Sequence, residues 1–283
     1  MTQSPRVQAC PTDLADEATQ LRDEIVRALY ACGGGHYGGS LSVLDIVLTL
    51  YRRQLRVSPA EPRHPGRDRF LLSKGHAAIA LYAVLRRLGF FDAPLEGYAS
   101  FGSPLEGHPD MTALPGVDFS GGSLGQGLSV GAGMALALRG SGAHAWVVLG
   151  DGECQEGQVW EAALVASQCD LDNLHVVVDA NRYQEWGWSR RPGPDGAPVV
   201  PPPVAELAQK WASFGWSVAE ADGHDPAELA ARFDAMRAAR GAPSALIART
   251  VKGRGYANIE ADPLRFHCTT LTDAEHQATL GAR

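Results

Sequence analysis

The segment from Gly150 to Asn181 decides the fold and reads GDGECQEGQVWEAALVASQCDLDNLHVVVDAN. An apolar run, Ala145 to Leu149, precedes this segment, and a second one, Leu174 to Asp179, lies near its end. Between the two runs, residues 155–168 show apolar side chains at a helical period. A buried strand, a helix and another buried strand, in this order, predict two parallel strands joined by a crossover helix.

The same alternation extends along the chain in both directions. Further elements are predicted as helices at 12–32, 41–51, 77–88, 124–138, 204–214 and 226–240, and as strands at 70–72, 217–219 and 245–248. This order favours an α/β fold with a parallel sheet covered by helices on both faces. We expect a single domain over residues 1–283, with a proline-rich surface loop at 190–203 and an extended C-terminal tail from about residue 256.

Composition excludes several classes of protein. The chain has 283 residues, of which 45% are hydrophobic, and its net charge is −7, with no run of Lys or Arg. This charge argues against binding to nucleic acid or to a membrane surface. Apolar stretches stay below the roughly 18 residues that span a bilayer. The first 11 residues lack the apolar core of a signal peptide. Five cysteines without a CxxC pair argue against a disulfide framework or a zinc site and favour the cytoplasm.

The turn after the first apolar run has residues that suit the binding of a phosphate group and a metal ion. Glycines at positions 150 and 152 would let the backbone approach a phosphate, and the N-terminus of the following helix offers free N–H groups. Asp151 and Asn181 each follow a predicted strand, so their oxygen atoms would meet at one sheet edge and suit Mg²⁺. The plainer alternative is a β–α turn in which Asp151 caps the helix and Asn181 closes a turn.

Further motifs occur along the chain before and after the Gly150–Gly152 turn and Asn181. They read GHYGGSLS (35–42), RDRFLLSKGH (67–76), GHP (107–109), LPG (114–116), GGSLGQG (121–127), DGHD (222–225) and KGRG (252–255). Together with GDG, 28 residues and Asn181, these motifs resemble those of the transketolase family from about residue 15 to 268. The match resembles most the N-terminal subunit of split, two-chain transketolases, which implies the thiamine diphosphate-binding fold known as the PP domain.

The resemblance assigns roles to individual residues and implies two cofactors, thiamine diphosphate and Mg²⁺. The metal ligands would be Asp151, Asn181 and the backbone carbonyl of Tyr183. The cofactor-binding residues would be His76, Gly122, Ser123, Leu124, Gly150, Gly152, Glu153, Glu156 and His267. The catalytic residues would be His36, His108 and His267, because imidazoles transfer protons near neutral pH.

The reaction implied by the resemblance moves a two-carbon ketol unit from a ketose donor to an aldehyde acceptor. In the family, a glutamate on a second, pyrimidine-binding domain completes the site, and this chain ends without such a domain. We therefore expect an obligate partner subunit in an α2β2 assembly, with sugars or sugar phosphates as substrates. Departures from the family pattern are Trp186, Cys268 and the 190–203 loop. They leave the donor and acceptor open, including a specialised acceptor of secondary metabolism.

Three alternatives are weighed against this interpretation. The α subunit of a 2-oxo-acid dehydrogenase usually lacks the Glu156-Gly157 pair and the histidines of the SKGH and GHP motifs. Deoxyxylulose-phosphate synthase keeps both halves in one longer chain. A non-catalytic regulatory subunit would have lost ligands, whereas Asp151, Asn181 and His76 are all present.

Overall fold

The computed structural model describes residues 13–185, 191–192, 198–199 and 202–281. The strands in these ranges are β1 (Arg69–Leu72), β2 (Ala145–Gly150), β3 (Leu174–Ala180), β4 (Arg191–Pro192), β5 (Pro198–Val199), β6 (Ser217–Asp222) and β7 (Ser244–Arg249). Five of them form a parallel sheet in the order β1-β2-β3-β7-β6, and β4 and β5 form a separate, short antiparallel pair. The parallel sheet confirms the predicted α/β class.

Helices cover the sheet. They are α1 (Leu14–Ala31), α2 (Tyr37–Thr49), α3 (Ala78–Arg87), α4 (Gln126–Ala137), α5 (Gly157–Gln168), α6 (Leu207–Ser213), α7 (Pro226–Ala238), α8 (Ala257–Ala261) and α9 (Asp273–Gly281). Capping is clearest at the start of α7, where Asp225 accepts the backbone amides of Ala227 and Glu228 while Pro226 occupies the first turn. None of the described helices is long and apolar enough to cross a membrane.

The core has two layers, one on each face of the sheet. Trp146 and Val177 pack with α1, α2, α3 and α7 on one face. Their strand neighbours Val147 and Val176 pack with α4, α5 and α6 on the other face. Because successive side chains of a strand point to opposite faces, both faces of the central strands must be apolar. This is why the sequence shows continuous apolar runs.

The register brings the ends of three strands to one edge. Gly150 of β2 lies beside Asp179 of β3, and Asp179 lies beside Ala248 of β7. The turns that follow these strands are therefore neighbours in space, although they are far apart in sequence. Ligands of open parallel sheets bind at this carboxyl edge.

Some boundaries differ from the predicted ones. The tail expected to be extended contains two helices, α8 and α9, separated by a 3₁₀ turn at Arg265–His267. The second helix begins at Tyr37 instead of residue 41, because the left-handed turn at Gly33 and Gly34 (φ +88° and +122°) ends just before it. Of the proline-rich loop, residues 190, 193–197, 200 and 201 lie outside the described residues, as do Cys10 and Trp186. The single domain stays a prediction.

Candidate active site

A cavity of about 440 Å³ opens at the carboxyl edge of the sheet. It collects residues from the turns after β1, β2, β3 and β7, from the start of α2 and from the 3₁₀ turn at 265–267. The predicted site residues that line it are His36, His76, His108, Gly122, Leu124, Gly150, Asp151, Gly152, Glu153, Glu156, Asn181, Tyr183 and His267. Ser123 is not among the described residues that line it, and its cofactor role stays a prediction.

Asp151 joins the two turns that carry the predicted metal ligands. Its Oδ2 accepts the backbone N–H of Arg182 at 2.5 Å, and its Oδ1 accepts that of Gly152 at 2.9 Å. Arg182 has φ +71°, an uncommon value outside glycine, and this conformation turns its amide toward Asp151. Oδ1 of Asn181 accepts the N–H of Tyr183 at 3.1 Å. The two strand ends thus form one connected loop structure.

A buried ion pair lies beneath these turns. Asp179 has no exposed surface and forms an ion pair with Lys74, whose side chain is 1% exposed. The same carboxylate accepts hydrogen bonds from Ser42 (2.7 Å), Asn181 (3.3 Å) and the hydroxyl of Thr250. Burial alone would raise the pKa of Asp179, but the charge of Lys74 and these donors hold it below its ordinary value.

The Asp151 carboxylate adds a second negative charge to this region. Burial, followed by the charge of Asp179, raises the pKa of Asp151 to about 7. The described residues contain no cluster of three or more His, Cys, Asp or Glu side chains arranged to hold a metal ion. A cation here would therefore use Asp151 together with the amide oxygen of Asn181 and a backbone carbonyl. Such an all-oxygen set suits Mg²⁺.

Glu153 braces the Gly150 turn from inside. Its carboxylate is 3% exposed and accepts the hydroxyl of Ser73 at 2.5 Å and the backbone amides of Gly125 (2.9 Å) and Gly150 (3.1 Å). Burial raises the pKa of Glu153, although these three donors act in the opposite direction. The side chain predicted to bind cofactor thus already has three protein partners.

Three imidazoles form one wall of the cavity. The rings of His36, His76 and His267 have centroids 5.0 to 6.0 Å apart, and Nδ1 of His36 donates to the carbonyl of His267 at 3.0 Å. Burial lowers the pKa of all three, that of His267 to about 3. These rings are therefore neutral at pH 7 and can make hydrogen bonds as donors or acceptors. His108 lies at the exposed rim.

Two lysines of the cavity were missed as site residues. Lys74 and Lys252 both line it and are 1% and 3% exposed. Nζ of Lys252 donates to Nδ1 of His267 at 2.6 Å. Both lysines occur inside motifs quoted from the sequence, SKGH and KGRG, so the signal was present. The pattern alone does not indicate a site, because an isolated lysine is usually exposed.

The cavity has one open side. Leu124 is 36% exposed there, and Glu156 and Gly122 are exposed as well. The closed side holds Lys74 and Lys252, whose positive charges suit an anionic phosphate group. The arrangement therefore can bind a phosphorylated ligand with a divalent cation at its closed side.

The family match agrees with this geometry. The family described as "Transketolase, thiamine diphosphate binding domain" matches residues 16–281. This chain belongs to the transketolase family. The transketolase match covers all the residues that line the cavity and places the cavity in a thiamine diphosphate binding domain. Because the matched family and the similar subunits are transketolases, the α subunit of a 2-oxo-acid dehydrogenase is set aside.

Relatives divide into subunits and longer chains. The 6-deoxy-6-sulfo-D-fructose transketolase subunit SqwG of a Clostridium species is 36% identical over 95% of both chains. One subunit of the apulose-4-phosphate transketolase of Phocaeicola vulgatus is 37% identical over 84% of this chain and 83% of its own. Human transketolase is 38% identical over 87% of this chain, but the match covers 38% of the human protein.

Solved structures show the same relation. A transketolase from Pichia stipitis superposes with a TM-score of 0.82 at 26% identity, covering 96% of this chain and 41% of that one. The chain therefore has the fold of the N-terminal, thiamine diphosphate-binding part of transketolases, and it spans less than half the length of the single-chain enzymes.

Proposed function

We propose that the chain is the diphosphate-binding subunit of a transketolase that uses thiamine diphosphate and Mg²⁺ and needs a partner subunit. One observation carries the proposal: Asp151, Asn181 and Gly152 line one cavity in a chain that spans 95% of a transketolase subunit. The reaction is the transfer of a two-carbon ketol unit from a ketose donor to an aldehyde acceptor.

The residues of the cavity fit both cofactors. Asp151 and Asn181 would hold Mg²⁺ through side-chain oxygens, together with the backbone carbonyl of Tyr183. The N–H of Gly152 donates to Oδ1 of Asp151 in the unliganded chain, and it would move to the diphosphate when Asp151 binds the metal. A side chain at Gly152 would collide with Gln184, whose Cβ lies 2.9 Å from the ideal Cβ position. His76 and Lys252 line the same side and would face the diphosphate.

When bound, thiamine diphosphate supplies the carbon that adds to the ketose carbonyl and carries the two-carbon unit. The protein would orient it and move protons. Nδ1 of His36 donates to the His267 carbonyl, so Nε2 of His36 would exchange a proton with the substrate. His267, with its pKa lowered to about 3, would act at neutral pH as a hydrogen-bonding imidazole. His108 at the rim would contact substrate hydroxyl groups. Glu153 would brace the turn instead of touching the cofactor.

The partner would close the open side of the cavity. Human transketolase, a single chain, is more than twice as long as the segment matched here. Two relatives of similar length to this chain are named as transketolase subunits, and a subunit implies a second chain. We propose that Leu124 and Glu156 on the open side meet the partner, in an α2β2 assembly. The cytoplasm stays a prediction from the cysteine content.

The substrates would be sugar derivatives. The two subunit relatives are named for 6-deoxy-6-sulfo-D-fructose and apulose 4-phosphate, which are sugars with an anionic end group. We propose a ketose of this kind as donor and an aldehyde as acceptor.

The test is to co-express the chain with the transketolase-like C-terminal subunit of its own genome. We expect a complex that binds thiamine diphosphate only with Mg²⁺ and that cleaves ketoses. Asp151→Ala should abolish Mg²⁺-dependent binding, whereas Asp16→Ala, on an exposed part of α1, should leave it unchanged. A complex that binds the cofactor but cleaves no ketose would favour a non-catalytic subunit, and normal affinity in Asp151→Ala would remove the metal assignment.

A further inference from the structure

His224 lies outside the cavity but is connected to it. It occupies the turn after β6, in the DGHD motif, and its side chain is 5% exposed. Gly223 makes this turn possible, because an added Cβ would lie 2.4 Å from Cγ2 of Thr250 at the end of β7. The turn is thus pressed against the segment that leads to Lys252.

Both ring nitrogens of His224 have partners. Nδ1 lies 2.6 Å from Oδ2 of Asp45, and Nε2 accepts the backbone N–H of Val251 at 2.8 Å. Because the Asp45 carboxylate also pairs with the guanidinium of Arg22, it acts as an acceptor, and the proton lies on Nδ1. The hydrogen bonds therefore fix one neutral tautomer of His224, with Nε2 free to accept.

Val251 directly precedes Lys252. The Lys252 side chain runs inward, where its Cγ would be 2.8 Å from a Cβ at Gly38 and its Nζ contacts His267 at 2.6 Å. The next amide, of Gly253, donates to the carbonyl of Gly38 at 3.1 Å. Residues 251–253 are therefore held by α2 on one side and by His224 on the other.

We propose that His224 is a positioning residue that holds the Val251 amide so that the Lys252 ammonium stays at the closed side of the cavity. Without Nε2 of His224 as acceptor, the Val251 N–H forms its hydrogen bond with water, and residues 250–255 become more mobile. Lys252 then loses its fixed position against His267. The inference rests on the proposed function, since its consequence is weaker binding of the diphosphate group.

A double-mutant cycle on the assembled pair of subunits tests the proposal, with thiamine diphosphate and Mg²⁺ titrated by calorimetry. The variants are His224→Leu, which lacks the acceptor, Lys252→Met, and the double variant. We expect each single change to weaken affinity about tenfold, and the double variant to be no weaker than Lys252→Met alone. Effects that multiply in the double variant would overturn the proposal. His224→Gln, whose amide oxygen can accept the Val251 N–H, should recover most of the affinity.

A second measurement does not depend on the cofactor. Amide hydrogen exchange of the full chain without ligand should be faster at residues 249–256 in His224→Leu than in the wild type and in His224→Gln. Unchanged exchange in His224→Leu would overturn the proposal even if the wild-type pair failed to bind thiamine diphosphate, which would refute the proposed function instead. If His224→Leu does not fold, His224→Asn keeps a donor for Asp45 and is too short to reach Val251.

Discussion

Nζ of Lys252 lies 2.6 Å from Nδ1 of His267, so two basic groups share one hydrogen bond. Burial, followed by the charge of Lys74, lowers the pKa of Lys252 to about 7. Burial, followed by the charge of Lys252, lowers the pKa of His267 to about 3. At neutral pH, His267 is therefore the acceptor, and Lys252 is the partner that gains or loses a proton.

The first prediction concerns the pH dependence of cofactor affinity. Because the pKa of Lys252 is lowered to about 7, its positive charge is present below that pH and is lost above it. At saturating Mg²⁺, which keeps Asp151 ionised, affinity for thiamine diphosphate should fall roughly fivefold to tenfold between pH 6 and 8.5 in the wild-type pair. Calorimetric titration across this range should show a flatter profile in Lys252→Met. An identical profile in that variant would show that another group titrates.

The second prediction concerns the buried pair of Lys74 and Asp179. Lys74→Met leaves the Asp179 carboxylate buried without its counter-charge, which should lower the free energy of unfolding by about 3 to 5 kcal/mol. The double variant Lys74→Met with Asp179→Asn should be more stable than Lys74→Met alone, because no charge remains buried. Urea unfolding of the isolated chain measures both differences.

An exposed ion pair provides the matched control for this pair. Arg249 and Glu220 are 68% and 47% exposed at their side chains. Arg249→Ala should therefore change the free energy of unfolding by less than about 1 kcal/mol. If Lys74→Met cost no more than Arg249→Ala, the Lys74–Asp179 pair would not be the support beneath the metal ligands.

The sheet could be predicted from sequence because its central strands are apolar on both faces. Val147 and Val176 face one layer and Trp146 and Val177 the other, so the strands appear as unbroken apolar runs. The helices of the C-terminal segment could not be predicted in this way. Among the described residues of α9, only Thr279 is buried, and such a helix has no apolar stripe for the periodicity to show.

The proposed metal ligands could be predicted from the sequence, but the buried charged residues beneath them could not. Asp151 and Asn181 follow apolar strands, and this position is visible in the sequence. Lys74, Lys252 and Asp179 are charged residues that the sequence shows singly, and a single charge is normally placed on the surface. These side chains can be buried because they pair with distant partners. Lys74 and Asp179, for example, are 105 residues apart in the sequence. Only the packed structure brings such partners together.

The third prediction concerns stability in acid. Nδ1 of His144 lies 2.7 Å from Nε2 of His175, which is fully buried. Burial, followed by the charge of Arg237, lowers the pKa of His144 to about 4, and burial lowers that of His175 well below its ordinary value. In the unfolded chain, both rings take up a proton near pH 6.5. The unfolded state thus binds more protons between about pH 6.5 and 4, and stability falls as the pH drops through this window.

A variant isolates this contribution. His144→Gln removes one of the two titrating rings, so the loss of unfolding free energy between pH 7.5 and 5 should be smaller by on the order of 1 kcal/mol. Urea unfolding at the two pH values measures the difference. Equal losses in the wild type and in His144→Gln would assign the acid sensitivity to other groups, such as the imidazoles of the cavity.

The fourth prediction compares two glycines of α4 that differ in their surroundings. A Cβ added to Gly131 would lie 2.5 Å from Cγ2 of Val147 in β2, whereas one added to Gly133 would meet nothing within 4 Å. Gly131→Ala should lower the free energy of unfolding by about 1 to 3 kcal/mol, because the helix must move away from the sheet. Gly133→Ala should raise it by about 1 kcal/mol through helix propensity alone. Urea unfolding of the isolated chain measures both, and a Gly131→Ala variant as stable as Gly133→Ala would show that α4 does not pack on β2 at this glycine.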